Sequence, residues 1–389
     1  MKKTPPQDPI PQLGLFSPEA LAAARLRSAV DLQAPASTPA SEPEPVTTPP
    51  AAPPPAALVV PAPPFAAPPS GFPATALYVD APALLEVCGH APKLRESRSH
   101  RGAPNGQIRG FTKTLLRLLG DFAPAVVAIV FDMPDNSGFV RRRKRVPTYH
   151  ESRTQPSPQD EVQEVICQQI AQCLGCRVIL SYAAEPRDVL GTLVSRTPED
   201  WDAIVCTART SLLELGQRET CRFSWWRTGM QETNQARVEC RRRLQIEPAQ
   251  VPLYLALSGA AEGLPGLAGI GEATARALVT EFKNAAALFE TMALGLPDLL
   301  LRIVGSAQIR NGQRVARTLL ENQDVLRTLM EVATTDRDVQ DAPEVPELED
   351  LSEHLLRQTP DAEELRSLGS AWSINDLSRE DETPQEDPA

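Results

Sequence analysis

The sequence predicts an α/β fold: a doubly wound parallel sheet, followed by a helical subdomain and preceded by a Pro-rich arm. Apolar runs of strand length alternate with amphipathic helical stretches from Ala76 onward, the order that builds parallel βαβ units. From Gln235 the helical period dominates. The chain's 39 prolines, as many as Lys and Arg together, crowd toward the N-terminus and are too many for a uniformly folded chain.

Taken in order, residues 1–75 read as a disordered arm, because the Pro, Ala, Ser and Thr of Leu32–Pro73 cannot bury enough surface to offset ordering entropy. Ala76–Asp80 is an apolar strand ending in a carboxylate, and Gly106–Gly120 a helix with Ile108, Phe111, Leu115, Leu118 and Leu119 on one face. AVVAIVFD, Ala125–Asp132, is a buried parallel strand, again ending in Asp. A helix over 160–174, a strand over Arg177–Tyr182, a helix led in by Glu185-Pro186-Arg187-Asp188 and a strand over Trp201–Thr207 complete the alternation. An irregular stretch with Trp225 and Trp226 follows, then helices, including a long one over Val315–Val332 and another over Leu351–Leu368. The resulting units are the arm at 1–75, an α/β domain at 76–234, a helical subdomain at 235–337 and an acidic C-terminal segment at 338–389.

The net charge of −11 is unevenly spread. Met1–Thr75 has 4 basic and 5 acidic residues, Ala76–Arg337 has 32 and 29, and Asp338–Ala389 has 3 and 16. The acidity therefore belongs to the C-terminal end, and the middle is mildly basic. Seven cysteines, an odd number, point to reduced thiols and a cytosol-like compartment. Cys173 and Cys176 form one C-x-x-C with no second pair nearby, which reads as a helix-to-strand junction. No apolar run approaches about 18 residues, so no membrane span is expected, and no apolar core follows Lys2 and Lys3 as in a secretory signal.

Leu264–Val279, LPGLAGIGEATARALV, organises the helical part. Gly266, Gly269 and Gly271 allow positive φ and close approach of a ligand, and the helix start near Thr274 turns open N–H groups and a positive dipole end outward. This is the pattern of a helix-hairpin-helix, which holds a nucleic-acid backbone without reading bases. Arg141, Arg142, Arg143, Lys144 and Arg145 form a dense basic run, followed by Tyr149 and Arg153. Such a run is either a solvated loop or a seat for a polyanion. In the arm, Gln12, Leu13, Leu15 and Phe16 of QLGLF resemble the peptide by which bacterial replication and repair proteins dock on the DNA sliding clamp.

Together the ordered motifs resemble the 5′–3′ exonuclease domain of bacterial DNA polymerase I and the wider flap-endonuclease family, whose fold is PIN-like. The landmarks are Val79-Asp80, Gly102-Ala103-Pro104-Asn105-Gly106, Val130-Phe131-Asp132, Tyr149 with Arg153, Asp188-Val189-Leu190-Gly191-Thr192-Leu193, Leu255-Ala256-Leu257-Ser258-Gly259 and Leu264-Pro265-Gly266. Ala333-Thr334-Thr335-Asp336 and Asp361-Ala362-Glu363-Glu364-Leu365 extend the match to about Leu368.

The resemblance implies carboxylates at the strand ends holding two or so divalent cations over a scissile phosphate. Asp80 and Asp132 stand where the family's first two stand. Where the family has Glu-x-Asp-Asp, this chain has Glu185-Pro186-Arg187-Asp188, and Thr207-Ala208-Arg209-Thr210-Ser211 replaces Thr-Gly-Asp-x-Asp. Glu262 is the one acid left before the hairpin. Asp80, Asp132, Glu185 and Asp188 would then hold at most one Mg²⁺ or Mn²⁺, while Arg187 and Arg209 disfavour a second and attract DNA phosphate instead.

The sequence thus predicts a 5′-nuclease homologue in the bacterial cytoplasm, close to the nucleoid. It would bind DNA with a 5′ flap, nick or single-strand/duplex junction without efficient cleavage. A slow one-metal nuclease, and a protein-interaction scaffold that does not bind DNA, are the alternatives.

Overall fold

The computed structural model describes residues 74–340 and 356–378, apart from 135, 152–155, 228–229, 260–262, 295–296 and 307–308. Gln12, Leu13, Leu15, Phe16, Arg153 and Glu262 lie outside the described residues.

β1 (Thr75–Asp80) leads into α1 (Ala81–His90), with Asp80 capping the helix through Ala83 N–H. Then follow α2 (Gly106–Phe122), β2 (Val126–Asp132), α3 (Ser137–Arg145), α4 (Pro158–Cys173), β3 (Arg177–Ser181), α5 (Pro186–Arg196) and β4 (Asp202–Thr207). A 3₁₀ segment, Ser211–Gln217, connects to β5 (Cys221–Arg227) and β6 (Met230–Gln235). The helices α6 (Ala236–Leu244), α7 (Val251–Ser258), α8 (Glu272–Phe282), α9 (Ala285–Ala293), α10 (Pro297–Ser306), α11 (Gly312–Glu321) and α12 (Gln323–Ala333) come next, and α13 (Ala362–Trp372) with a last helical turn, Asn375–Ser378, closes the described fold.

The strand order is β3-β2-β1-β4-β5-β6, parallel throughout except for the antiparallel β5–β6 pair. The chain moves outward from β1 in one direction through β2 and β3, then returns to place β4 on the other side. That reversal opens a crevice at the carboxyl ends of the strands, where Asp80, Asp132 and Thr207 end β1, β2 and β4.

Alternation along the strands feeds two cores. Leu77, Val79, Val127, Ile129 and Phe131 pack with α1, α2, α4 and α13, whereas Tyr78, Ala128 and Val130 pack with α5 and with α6–α12. The helical segment thus shares a continuous core with one face of the sheet.

Three elements depart from the sequence expectation. The stretch with Trp225 and Trp226 is a hairpin that widens the sheet, its polar residues suiting an edge. The helix expected over Val315–Val332 is two helices. Asn322 breaks it at φ −121° and ψ 31°, and its amide binds Thr318 O at 2.8 Å, a local bond that competes with the helical ladder. Of the helix expected over Leu351–Leu368, residues 351–355 lie outside the described residues, 356–361 are not helical, and a helix starts at Ala362, where Pro360 blocks an earlier helical start and Asp361 caps through Glu363 and Glu364 N–H.

Before that helix the chain crosses the sheet's amino end as a strap. Arg357 N–H donates to Ala125 O, Gln358 N–H to Gly175 O and Asp361 N–H to Cys173 O. Gly175 makes this crossing possible: its φ is +78°, and a Cβ there would lie 2.0 Å from Gln358 O. The C-x-x-C brackets this turn, and Cys173 and Cys176 are free thiols. Gly175→Ala should therefore destabilise the protein by about 1 kcal/mol or more. Hydrogen exchange should show 356–361 losing protection, while an unchanged urea midpoint would refute the account.

Candidate functional site

The crevice gathers the acids, but each is already engaged. Asp80 is fully buried. Its Oδ1 accepts from Ala83 N–H at 3.3 Å, and its Oδ2 accepts from Thr207 Oγ1 at 2.7 Å and Arg209 Nε at 2.8 Å. Asp132 accepts from Asn136 Nδ2 at 3.0 Å. The same Asn136 amide donates to Ser181 O and Ala184 O, while its Oδ1 caps α3 through Phe139 N–H.

α3 begins at that cap, so the basic run is helical rather than a loop. Its period divides the cations. Arg142 and Arg145, three residues apart, turn toward α12, while Arg141, Arg143 and Lys144 stay exposed. Arg142 forms a bidentate pair with Asp188, Nη1 to Oδ2 at 2.5 Å and Nη2 to Oδ1 at 2.8 Å, and its Nη1 lies 3.3 Å from Glu185 Oε1. Its remaining donors reach Val332 O and Thr334 O.

Arg187 is 1% exposed. Its guanidinium binds the carbonyls of Val332 and Ala333 at the end of α12, and its Nε faces Glu185 Oε2 at 3.4 Å. Tyr149, also fully buried, donates its hydroxyl to Glu185 Oε2 at 3.0 Å. Arg142, Arg187 and Tyr149 therefore stand inside the protein rather than on a DNA-facing surface, a correction to the sequence expectation. Burying three carboxylates leaves this as the low-energy outcome, since each needs a partner. Arg209 is the cation of this group that keeps a partly open face, at 22% side-chain exposure.

Burial pushes the Asp188 carboxyl upward. The hydrogen bonds and charge of Arg142, with the charge of Arg187, outweigh it and hold the pKa below the usual carboxylate range. Burial likewise opposes the charge on Arg142, but Asp188 and Glu185 overcome it, so this guanidinium stays charged.

Paired divalent cations need carboxylate oxygens that converge with open lone pairs. Here Asp80 and Asp188 give both oxygens to donors, and Glu185 is shared by Tyr149, Arg142 and Arg187. Among the described residues, no group of three or more His, Cys, Asp or Glu is placed to hold a metal ion. Of the four carboxylates expected to hold one ion, Asp80, Glu185 and Asp188 are paired with arginine guanidiniums and Asp132 accepts from the Asn136 amide.

The glycine turn lies between α7 and α8. Gly266 and Gly269 have φ of +64° and +84°, and the loop folds back so that Leu267 N–H reaches Leu257 O at 2.9 Å. Leu264, Leu267 and Ile270 are buried beneath it. Gly271 caps α8 with no side-chain acceptor, and a Cβ there would meet nothing within 4 Å. Thr274 is half-buried in the first turn, so the start of α8 presents an open edge.

Sequence reasoning did not find the pairing of Arg142, the anchoring role of Asn136, or Asp336, whose N–H donates to Asp188 Oδ1 at 2.9 Å. The spacing of Arg142 and Arg145 behind a capping Asn carried part of that signal.

With this geometry in view, the comparisons are specific. Residues 75–242 match the family described as the 5′–3′ exonuclease, N-terminal resolvase-like domain. That match takes in the whole sheet, from β1 through β6. DNA polymerase I of Mycobacterium tuberculosis is 27% identical over 268 residues, covering 67% of this chain and 28% of that protein. The chain thus spans little more than a quarter of this curated relative's length. The structure of T5 5′-exonuclease with bound zinc superimposes with a TM-score of 0.51 at 13% identity, over 78% of this chain and 97% of that one. Bacteriophage T5 flap endonuclease, as a variant complexed with DNA and metal ions, gives 0.51 at 12% identity, over 78% and 96%. These neighbours share the fold: a mixed six-stranded sheet flanked by helices.

Arg142→Ala should lower stability at pH 7 by about 3–5 kcal/mol, because it strands Asp188 and Glu185 in the interior. Asp188 has a depressed pKa in the folded state, so its contribution is present above the unfolded value of about 3.9 and is lost as pH falls through the folded one. The deficit of the variant should therefore shrink below about pH 4. Urea titrations across that range check this, and a constant deficit would contradict the pairing.

Proposed function

We propose that this chain is a 5′-nuclease homologue that holds branched DNA by its backbone and does not cut it efficiently. The observation that carries the reading is the occupation of Asp80, Glu185 and Asp188 by the guanidiniums of Arg209, Arg187 and Arg142. A guanidinium neutralises a carboxylate but ionises no water and offers no open coordination position. The fold keeps its crevice while the ligand set for cleavage is spent on internal ion pairs.

What supports DNA binding is the cationic surface that remains. Arg141, Arg143, Lys144 and Arg145 are exposed on α3, and Arg209 has a partly open face at the crevice. The glycine turn and the uncapped start of α8 suit a phosphate, since open N–H groups and the positive helix end meet there. The T5 flap endonuclease neighbour is a complex with DNA, and this reading carries that ligand class over to DNA with a 5′ flap, nick or single-strand/duplex junction. Among the described residues, no helix is long and apolar enough to cross a membrane. We place the protein with DNA in the bacterial cytoplasm, and Gln12, Leu13, Leu15 and Phe16 as its tether to the sliding clamp.

The deciding experiment follows binding and cleavage of a labelled 5′-flap duplex together, with Mg²⁺ and then Mn²⁺. Expected is salt-sensitive binding without cleavage, and Arg143→Ala with Lys144→Ala should reduce the log–log salt slope by about 0.7–0.9 per lost phosphate contact. Cleavage that disappears in Asp80→Ala would overturn the reading in favour of a slow nuclease, and absence of binding would favour a protein scaffold. Separately, the full-length protein should bind a bacterial sliding clamp and lose that binding in Leu15→Ala/Phe16→Ala, as measured by surface plasmon resonance. Equal binding of the variant would remove the tether from the scheme.

A further inference from the structure

The acidity that sets the net charge of this chain has no part in the crevice. Asp338–Ala389 has 3 basic and 16 acidic residues, and five of those acids, Glu380, Asp381, Glu382, Glu386 and Asp387, fall within 379–389. Arg379 alone opposes them there.

The opposite imbalance stands on the folded surface. Between Ala91 and Lys113 the sequence carries Lys93, Arg95, Arg98, Arg101, Arg109 and Lys113 against one acid, Glu96. All six cations are exposed, and among the described residues none of them is in an ion pair. The Arg98 guanidinium turns back to Arg95 O and Ser97 O, and that of Arg109 to Ser97 Oγ, neutral acceptors that leave the charges uncompensated.

The backbone gathers these side chains. A helical turn, Pro92–Arg95, presses on the start of α2 so closely that a Cβ at Gly106 would lie 1.9 Å from Leu94 O. The chain then reverses in a tight hairpin, with Ser99 N–H donating to Ala103 O at 2.8 Å and Gly102 N–H to Ser99 O at 2.9 Å. Gly102 takes φ +81°, and nothing lies within 4 Å of its Cβ position, so the tip carrying Arg101 projects into solvent. Arg109 and Lys113 follow one turn apart on α2. Because α2 runs from this hairpin back to the start of β2, the hairpin lies toward the carboxyl end of the sheet, the side of the crevice.

The described residues end beside this surface. Trp372 O, at the end of α13, accepts from Asn105 Nδ2 at 2.7 Å, and Ser373 Oγ accepts from His100 N–H at 2.9 Å. Ile374 and Leu377, 1% and 9% exposed, hold the last turn, Asn375–Ser378, in the core. At most about 25 Å of extended chain can separate Glu380 from Ser373. Exposed ion pairs are individually weak, but tethering raises the local concentration of five carboxylates enough for several to act together.

We propose that residues 379–389 dock in cis on this cationic surface, their carboxylates against the cations of 93–113. On the reading of this chain as a DNA-holding protein, the docked segment competes with DNA phosphate, so that DNA must displace it.

The test is zero-length carbodiimide coupling of the full-length protein, which joins a carboxylate to a lysine amine that it touches, with mass spectrometry of the monomer band. Expected are links from the acids of 380–387 to Lys93 or Lys113, in excess over those to Lys144 and Lys283. They should be lost near 1 M salt, where charges are screened over about 3 Å. Links spread evenly over the lysines, links found only between two chains, or none at all would overturn the proposal.

In parallel, binding of a labelled 5′-flap duplex is measured for three full-length variants. One carries Glu380→Gln, Asp381→Asn, Glu382→Gln, Glu386→Gln and Asp387→Asn, the second Arg98→Gln with Arg101→Gln, and the third all seven changes. A segment docked nine-tenths of the time lowers apparent affinity about tenfold, so neutralising it should tighten flap binding by up to about that factor. The gain should be much smaller when Arg98 and Arg101 are already replaced. An equal gain in both backgrounds would mean that the acids repel DNA without docking, and would sink the proposal. Links to Lys93 or Lys113 without any flap binding would keep the docking and remove the DNA-holding reading. Flap binding that weakens in Arg98→Gln/Arg101→Gln, with no such links, would leave the surface to nucleic acid alone and refute the docking.

Discussion

Pairing of buried charge governs this structure. Asp80, Glu185 and Asp188 lie at 0%, 7% and 4% exposure at the head of a parallel sheet, where an unpartnered carboxylate would cost several kcal/mol. Three arginines from three segments meet that demand. Because Arg142 comes from α3, Arg187 from α5 and Arg209 from the turn after β4, the same bonds fix where those segments sit. Arg142 and Arg187 continue to the carbonyls of α12 and so anchor the helical half against the sheet. Electrostatic neutrality and architecture are one constraint here.

Much of the fold was legible in the sequence because its signals are local. The continuous apolar runs at Ala76–Asp80 and Val126–Asp132 leave little alternative to buried parallel strands. The glycine turn before α8 was legible for the same reason, since positive φ at Gly266 and Gly269 is a property of those residues. The β5–β6 pair was not, because half its stabilisation is a neighbouring strand and its own polar, Trp-containing pattern fits no single period.

At the site, the acids and the substituted arginines could be read residue by residue, but the partner of each could not. Arg142 sits among five consecutive cations, and only the helical phase set by Asn136 selects it to face Asp188. Arg187 and Tyr149 looked like surface cation and surface ring, whereas tertiary burial turned both inward. Glu214 and Thr335 carried no motif at all. They are 121 residues apart and become neighbours only when α12 closes over the 3₁₀ segment.

The strap and α13 impose an order of events on the nascent chain. Asn105 bonds Trp372 O and His100 bonds Ser373 Oγ, contacts separated by 267 and 273 residues. Leu365, Leu368 and Trp372 belong to the core on the α1–α2–α4 face of the sheet. A ribosome-bound intermediate ending before residue 356 would carry a formed sheet with part of that apolar face uncovered. Completion of this layer therefore waits for residues 356–372, and the interval before they emerge is when that face is exposed to aggregation and to chaperones.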